Sequence, residues 1–113
     1  MKTLKKVKLE LIEVEYIPEV KDMMLGAFYY ARNWDASNHL CPCGCGSQTP
    51  LPIKEGEWTI TNENNLTINP SIQHRHDCMS HYVITNGNAN MLNEPVPKQH
   101  WNFRSQDDAQ PGE

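Results

Sequence analysis

Alternation of apolar and polar residues at the start of the chain predicts β-structure. Val7, Leu9 and Leu11 alternate with charged residues, as in a strand with one buried face. The alternation changes phase at Leu11-Ile12, so we expect either one strand with a β-bulge or two strands bent at that point. The aromatic segment 27–31, which follows Gly26, predicts the next strand.

Short apolar segments separated by turn residues continue this pattern. Segments 58–61 and 66–68 predict a hairpin, and segment 81–85 followed by Asn86-Gly87, a dipeptide typical of a type I′ turn, predicts another. We interpret Asn69-Pro70-Ser71 as a turn. Eight prolines and six glycines argue against long helices. The sequence therefore predicts a mostly β fold: a small, single-domain antiparallel sheet or sandwich, stabilised by a metal (zinc) site, with little helix.

The composition changes near residue 95. Residues 1–94 are predicted to form a zinc-binding β domain. Residues 95–113 are polar and bounded by prolines, so we predict a largely disordered C-terminal tail. Trp101 and Phe103 are exceptions that we expect to dock on the domain or on a partner.

The charge and hydropathy of the 113-residue chain exclude several classes of protein. A net charge of −4 argues against a nucleic-acid-binding surface. No apolar stretch is long enough to span a bilayer. The lysines near the N-terminus precede no apolar segment, so we expect no signal peptide and a cytoplasmic location. In such a reducing compartment, clustered cysteines more often bind metal than form disulfides.

Four cysteines form the strongest chemical signal. Cys41, Cys43 and Cys45 lie within five residues, and Cys78 begins a C-x2-H motif that ends at His81. Thiolates and imidazoles are the usual ligands of Zn²⁺, so all five residues are predicted metal ligands. The spacing leaves open which four bind; we favour Cys43, Cys45 and Cys78, with His81 or Cys41 as the fourth.

Three other interpretations of the cysteines are weaker. Free buried thiols rarely cluster so closely, and disulfides are disfavoured without export. An iron–sulfur cluster also uses four cysteines, but the spacing differs from the ferredoxin patterns.

Two residues beside these motifs are candidates for catalysis. His39 precedes Cys41 by two residues, and it is a candidate ligand, second-sphere residue or acid–base group. Ser80 precedes His81, but adjacent residues on a strand point to opposite faces, so the two are poorly placed to pair. A serine next to a ligand more often donates a hydrogen bond to the ligand sulfur.

The motifs together resemble a family of small bacterial and phage proteins known as a domain of unknown function. Its pattern includes H-x-C-x-C-G-C-G, then P-S-I, and finally C-x-S-H-Y; here these are His39 to Gly46, Pro70 to Ile72 and Cys78 to Tyr82. The resemblance covers about residues 14–90. This chain departs from the pattern at residues 73–77, where family members tend to have a glycine and aromatic residues.

Members of that family are often encoded beside ubiquitin-like conjugation genes. The resemblance therefore implies a protein partner, either a ubiquitin-like protein or its conjugating enzymes. We expect a zinc-binding interaction module of such a pathway. The alternative is a hydrolase or peptidase acting on ubiquitin-like conjugates, using the metal with His39, Ser80 and His81.

Overall fold

The computed structural model describes residues 4–75 and 77–101. Within them the chain forms nine strands: β1 (Lys6–Lys8), β2 (Glu10–Glu13), β3 (Ala27–Ala31), β4 (Ala36–His39), β5 (Leu51–Pro52), β6 (Thr59–Asn62), β7 (Thr67–Gln73), β8 (His81–Thr85) and β9 (Asn88–Met91). The helical elements of the described residues are single 3-10 turns at Val20–Asp22, Arg32–Trp34 and Lys98–His100. The prediction of a mostly β fold with little helix is confirmed.

The strands form two sheets. A five-stranded sheet has the order β1-β9-β8-β7-β6, and a four-stranded sheet has the order β2-β3-β4-β5. Neighbours in the larger sheet are antiparallel. In the smaller sheet β2 and β3 are parallel, so that sheet is mixed.

The N-terminal alternation belongs to two strands in different sheets. β1 pairs with β9, and β2 pairs with β3. The change of sheet occurs at Leu9, which is buried and whose backbone N–H donates to the Gly87 carbonyl. The second of the two predicted arrangements, two strands, is therefore the observed one, but the break comes two residues before the change of phase.

The main core combines residues from both sheets. Its largest fully buried side chains include Phe28 of the smaller sheet and Tyr82 and Ile84 of the larger one. Burial of such aromatic and aliphatic groups is the main stabilising contribution in a domain of this size.

The predicted turn at Asn69-Pro70-Ser71 is wrong, because β7 continues through it. Proline has no backbone N–H to give to a neighbouring strand. The β7–β8 ladder is interrupted between Ile68 and Ile72. Pro70 lies in this interruption, so its missing N–H costs the regular ladder no hydrogen bond. The strand thus carries Ser71 toward the segment between β7 and β8 that contains Cys78.

Both predicted hairpins are present. β6 pairs with β7, and β8 pairs with β9 across Asn86 and Gly87, whose φ angles are 53° and 80°. Positive φ at both central residues is what a type I′ turn requires.

The described start of the predicted tail packs on the domain. Trp101 contacts the main core, and its indole N–H donates to the Val96 carbonyl at 2.9 Å. Phe103 and the rest of the predicted tail lie outside the described residues. The helical elements of the described part are all too short to cross a membrane.

Candidate functional site

The loop between β4 and β5 holds three of the cysteines. The Cys41 N–H donates to the Ser47 carbonyl at 2.8 Å, and the Gly44 N–H donates to the Cys41 carbonyl at 3.0 Å. Gly44 has a φ of 89°, a conformation that side-chain-bearing residues rarely adopt. These bonds curl the loop so that successive cysteine side chains turn to one side.

The loop between β7 and β8 holds the fourth cysteine. Asp77 and Met79, on either side of Cys78, have φ angles of 57° and 54°. The Val96 N–H donates to the Cys78 carbonyl at 2.8 Å, which fastens this loop to the chain that follows β9. The two loops come from different sheets and meet at one end of the molecule.

The four thiols of Cys41, Cys43, Cys45 and Cys78 have their sulfur atoms within 4.8 Å of one another. The Cys41 sulfur lies 3.4 Å from that of Cys43 and 3.7 Å from that of Cys78. Tetrahedral zinc with Zn–S bonds of about 2.3 Å places its sulfur ligands about 3.8 Å apart. The four cysteines therefore fit a tetrahedral metal ion and could hold one.

The thiols influence one another's ionisation. The pKa of Cys78 is lowered, chiefly by a hydrogen bond from the Cys41 thiol and further by the Ser80 hydroxyl. The same hydrogen bond, together with burial, raises the pKa of Cys41. The cluster thus favours a thiolate at Cys78, the form in which cysteine binds metal.

Ser80 is fully buried and faces the sulfur atoms. Its Oγ has no hydrogen bond of ordinary geometry within the described residues, yet its hydroxyl helps to lower the pKa of Cys43, whose net shift is upward because burial dominates. This is the arrangement expected of a serine that orients ligand sulfurs. A side chain with 0% exposure offers no surface to a substrate.

His39 is also fully buried. Its Nε2 lies 2.7 Å from the Tyr82 hydroxyl, and its ring stacks on Phe28 at 5.3 Å between centroids. Burial, and to a lesser degree the charge of His74, lowers the pKa of His39 to about 3. His39 is therefore a neutral core imidazole at neutral pH.

A second imidazole–hydroxyl pair lies next to this one. Thr49 Oγ1 is 3.1 Å from His74 Nε2. Burial raises the pKa of Tyr82, and the Thr49 hydroxyl partly offsets that effect. His39, Tyr82, Thr49 and His74 thus form a polar network inside the domain, with Thr49 itself buried.

His81 is not part of the four-sulfur group. It is the first residue of β8, and its Nε2 lies 3.1 Å from the Ser71 Oγ on β7. Gln73 is the register partner of His81, so Ser71, two residues before Gln73, shares the same face of the sheet. Ser71 is exposed and His81 is half-buried, so this serine–histidine pair is open to solvent.

Neighbouring polar groups fix the backbone of both residues. The Trp58 indole N–H donates to the Ser71 carbonyl at 3.3 Å. The His81 N–H donates to Asn93 Oδ1 at 3.0 Å, and Asn93 Nδ2 donates to the Met79 carbonyl at 2.8 Å. Asn93 therefore braces the loop that leads from Cys78 to His81.

The sequence interpretation did not identify Ser71 as a candidate, because it placed Ser71 in a turn. Two signals could have found it. One is the P-S-I motif of the resemblance. The other is the hairpin pattern, since a strand continued through Pro70 puts Ser71 on the same face as His81 and diagonally across from it.

Fold and site together define a small two-sheet β protein with a four-cysteine cluster and an exposed serine–histidine pair. The model of the family described as "Bacterial ubiquitination-like system serine protease (BubE)" matches residues 13–92, and the chain belongs to this family. No curated protein and no solved structure gives a significant match.

Proposed function

We propose that this protein is a serine protease of a bacterial ubiquitination-like system, with Ser71 as the nucleophile and His81 as the general base. The observation that carries the proposal is the 3.1 Å distance between Ser71 Oγ and His81 Nε2 on an exposed face. This distance is within the range that a serine and its base need for proton transfer. The family description names the same class of enzyme.

The chemistry follows from this geometry. With its proton on Nδ1, His81 accepts the Ser71 hydroxyl proton at Nε2 while Oγ attacks the carbonyl carbon of the scissile amide. The His81 imidazolium then gives that proton to the departing amine, which leaves an ester on Ser71. Water hydrolyses the ester, with His81 again taking the proton and returning it to Ser71.

Ser71 is a better nucleophile than Ser80 for physical reasons. Ser80 is fully buried among the sulfurs, whereas Ser71 is exposed and lies beside an imidazole. A hydroxyl needs an adjacent base to become nucleophilic. The same reasoning assigns His39 to the core, because its imidazole is occupied by Tyr82 and shielded from substrate.

The substrate that we propose is a ubiquitin-like protein of the same system, either as a precursor or as a conjugate. The family belongs to a ubiquitination-like system, and a protease of such a system acts on amide bonds at the carboxyl end of the modifier. We also propose a cytoplasmic location, since four free thiols persist as ligands where thiols stay reduced.

We propose that the four cysteines bind a structural Zn²⁺. A four-sulfur site is closed, with no position left for a substrate or water. Cys78 lies three residues before His81, so the ion would hold the loop that sets the start of β8. Its contribution to catalysis is then the placement of His81.

A fluorophosphonate probe, which labels activated serines, tests the proposal directly. We expect the wild-type protein to be labelled at Ser71, as identified by mass spectrometry of the digest. Ser71→Ala should abolish labelling, and His81→Ala should slow it at least about a hundredfold, the usual contribution of a general base. Ser80→Ala is the control that separates the two serines, and it should still be labelled at Ser71.

A second assay uses a ubiquitin-like protein of the system with a C-terminal extension. The wild type should remove the extension, and Ser71→Ala should not. If folded, metal-loaded wild type neither reacts with the probe nor cleaves the extension, the protease assignment is wrong. The non-enzymatic alternative, a zinc-stabilised interaction module, would then remain, and it is supported by the closed four-sulfur geometry.

A further inference from the structure

The edge of β7 next to Ser71 has no strand beside it in the described part of the chain. β6 pairs with β7 only as far as Thr59 and Asn69. Beyond that point the Trp58 backbone N–H donates instead to the Pro52 carbonyl at 3.2 Å. The partner strand has therefore turned away two residues before Ser71.

The hydrogen-bonding direction of β7 shows which backbone groups face this open edge. The His74 N–H donates to the Ser80 carbonyl at 2.8 Å, and Ile72 pairs with Tyr82. The backbone groups of Ile72 and His74 thus point toward β8. Because these directions alternate along an antiparallel strand, the groups of Ser71 and Gln73 point to the opposite side.

The contact with Trp58 agrees with this alternation. The Ser71 carbonyl accepts the Trp58 indole N–H at 3.3 Å from the side away from β8. Two residues along the strand, the N–H and carbonyl of Gln73 also point away from β8, where the described residues provide no strand to bond with them. Exposed backbone donors and acceptors of this kind commonly bind an added β-strand.

A cavity of about 310 Å³ lies against this edge. One wall is formed by Trp58, Ile72 and Gln73, and the other includes Thr49, Pro50 and Leu51. Ligand clefts span about 300–1,000 Å³, so this one admits a short stretch of extended peptide with small side chains. The cavity lies beside Gln73, two residues along β7 from Ser71.

We propose that the acyl side of the substrate binds as an extended strand along Ser71–Gln73 of β7, with the backbone of Gln73 as its hydrogen-bonding partner. This inference rests on the proposed protease function. The occupant is an extended peptide segment, because the edge offers a backbone N–H and a carbonyl, both of Gln73, at two residues from Ser71. Strand addition would hold the scissile carbonyl next to Ser71 Oγ.

Diphenyl phosphonate probes with one warhead and different peptide lengths test this. The probes are acetyl-Ala-phosphonate and acetyl-Ala-Ala-Ala-Ala-phosphonate. We expect the longer probe to label Ser71 at least about tenfold faster. Methylation of its amide nitrogens, one at a time, should slow labelling about threefold to tenfold at one or more positions, the effect of a lost hydrogen bond.

Substitution in the enzyme provides the matched test. Gln73→Pro removes the N–H that faces the edge, and Gln73→Ala retains it. We expect Gln73→Pro to reduce the ratio of long-probe to short-probe labelling rates at least about threefold, the effect of one lost hydrogen bond. Gln73→Ala keeps the backbone N–H, so it should retain the wild-type ratio. If Gln73→Pro does not fold, the methylated probes still test strand addition through the other bond, in which a probe N–H donates to the Gln73 carbonyl.

The outcomes separate this inference from the proposed function. If neither probe labels Ser71 in folded protein, the protease assignment fails. If the short probe labels Ser71 but peptide length and amide methylation leave the rate unchanged, the nucleophile stands and strand addition is overturned.

Discussion

Two histidines with similar hydroxyl partners have opposite surroundings. His39 lies 2.7 Å from the Tyr82 hydroxyl at 0% exposure, and burial lowers its pKa to about 3. His81 lies 3.1 Å from the Ser71 hydroxyl at a solvent-exposed face. The first pair satisfies a polar group inside the core, and the second leaves a serine hydroxyl open to solvent beside an imidazole. Exposure, rather than residue type, separates the two roles.

The substitution Tyr82→Phe tests the packing role of His39. The ring of Tyr82 is kept, but the buried His39 Nε2 loses its partner, and an unsatisfied buried polar group costs about 1–3 kcal/mol. We expect the free energy of unfolding in urea to fall by that amount. Tyr16→Phe is the control, because Tyr16 is exposed, and it should change stability little. Equal stability of the two variants would contradict the role.

Two elements that are distant in sequence are joined by one arginine. Arg32, in the 3-10 turn after β3, forms hydrogen bonds of 3.0 Å from Nε to Glu13 Oε2 and of 2.8 Å from Nη2 to Glu63 Oε1. Glu13 ends β2 in the smaller sheet, and Glu63 lies between β6 and β7 of the larger one. The Arg32 hydrogen bonds also lower the pKa of both carboxyls.

The substitution Arg32→Gln should therefore destabilise the protein in a pH-dependent way. Carboxyls with lowered folded-state pKa values bind fewer protons in the folded than in the unfolded state. Their contribution to the free energy of unfolding is fully present above the unfolded-state pKa of 4.5. It is lost as the pH falls through the folded-state pKa values. We expect the gap in unfolding free energy between wild type and variant to be largest above pH 4.5 and to shrink in acid and in high salt.

Lys21→Gln is the matched control for this prediction. Lys21 lies 3.7 Å from Glu19 within one exposed segment, so it joins no separate elements. Its loss should leave stability near that of wild type at every pH. If the difference in unfolding free energy between wild type and Arg32→Gln does not depend on pH, the proposed link between the two carboxyl pKa values and stability is wrong.

At the scale of the whole molecule, local sequence patterns predicted the hairpins but not the pairing of strands that are distant in sequence. The β6–β7 and β8–β9 hairpins follow from adjacent apolar segments and turn residues, so the sequence predicts them correctly. The parallel pairing of β2 with β3 and the change of sheet at Leu9 depend on contacts between distant segments. Local alternation contains no information about those contacts.

The same distinction between local and long-range information applies to the residues of the candidate site. The cysteine cluster was predictable because three of its four members lie within five residues and because thiols are the usual ligands of zinc. Ser71 was not, because Pro70 signals a turn locally and only an interrupted β7–β8 ladder lets the strand continue. Without that strand, Ser71 and His81 are simply ten residues apart.

The two loops that carry the cysteines come from different sheets, so a bound ion would cross-link the molecule at the end that holds His81. Zinc analysis of the purified wild type should give one ion per chain. Cys→Ser variants at each of the four positions should lose it. His81→Ala should retain it together with the wild-type melting temperature, because the group of possible ligands comprises the four cysteines and not His81.

Removal of the ion should loosen the cysteine loops and the start of β8 together. Structural zinc sites bind with about 10–16 kcal/mol of apparent free energy, so a strong chelator at elevated temperature is the appropriate reagent. We expect a lower melting temperature and slower fluorophosphonate labelling of Ser71, both restored by added Zn²⁺. If the His81→Ala variant is purified without bound zinc, His81 is a metal ligand. Verified metal-free wild type with unchanged melting and labelling would show that the four sulfurs need no ion to hold this end of the fold.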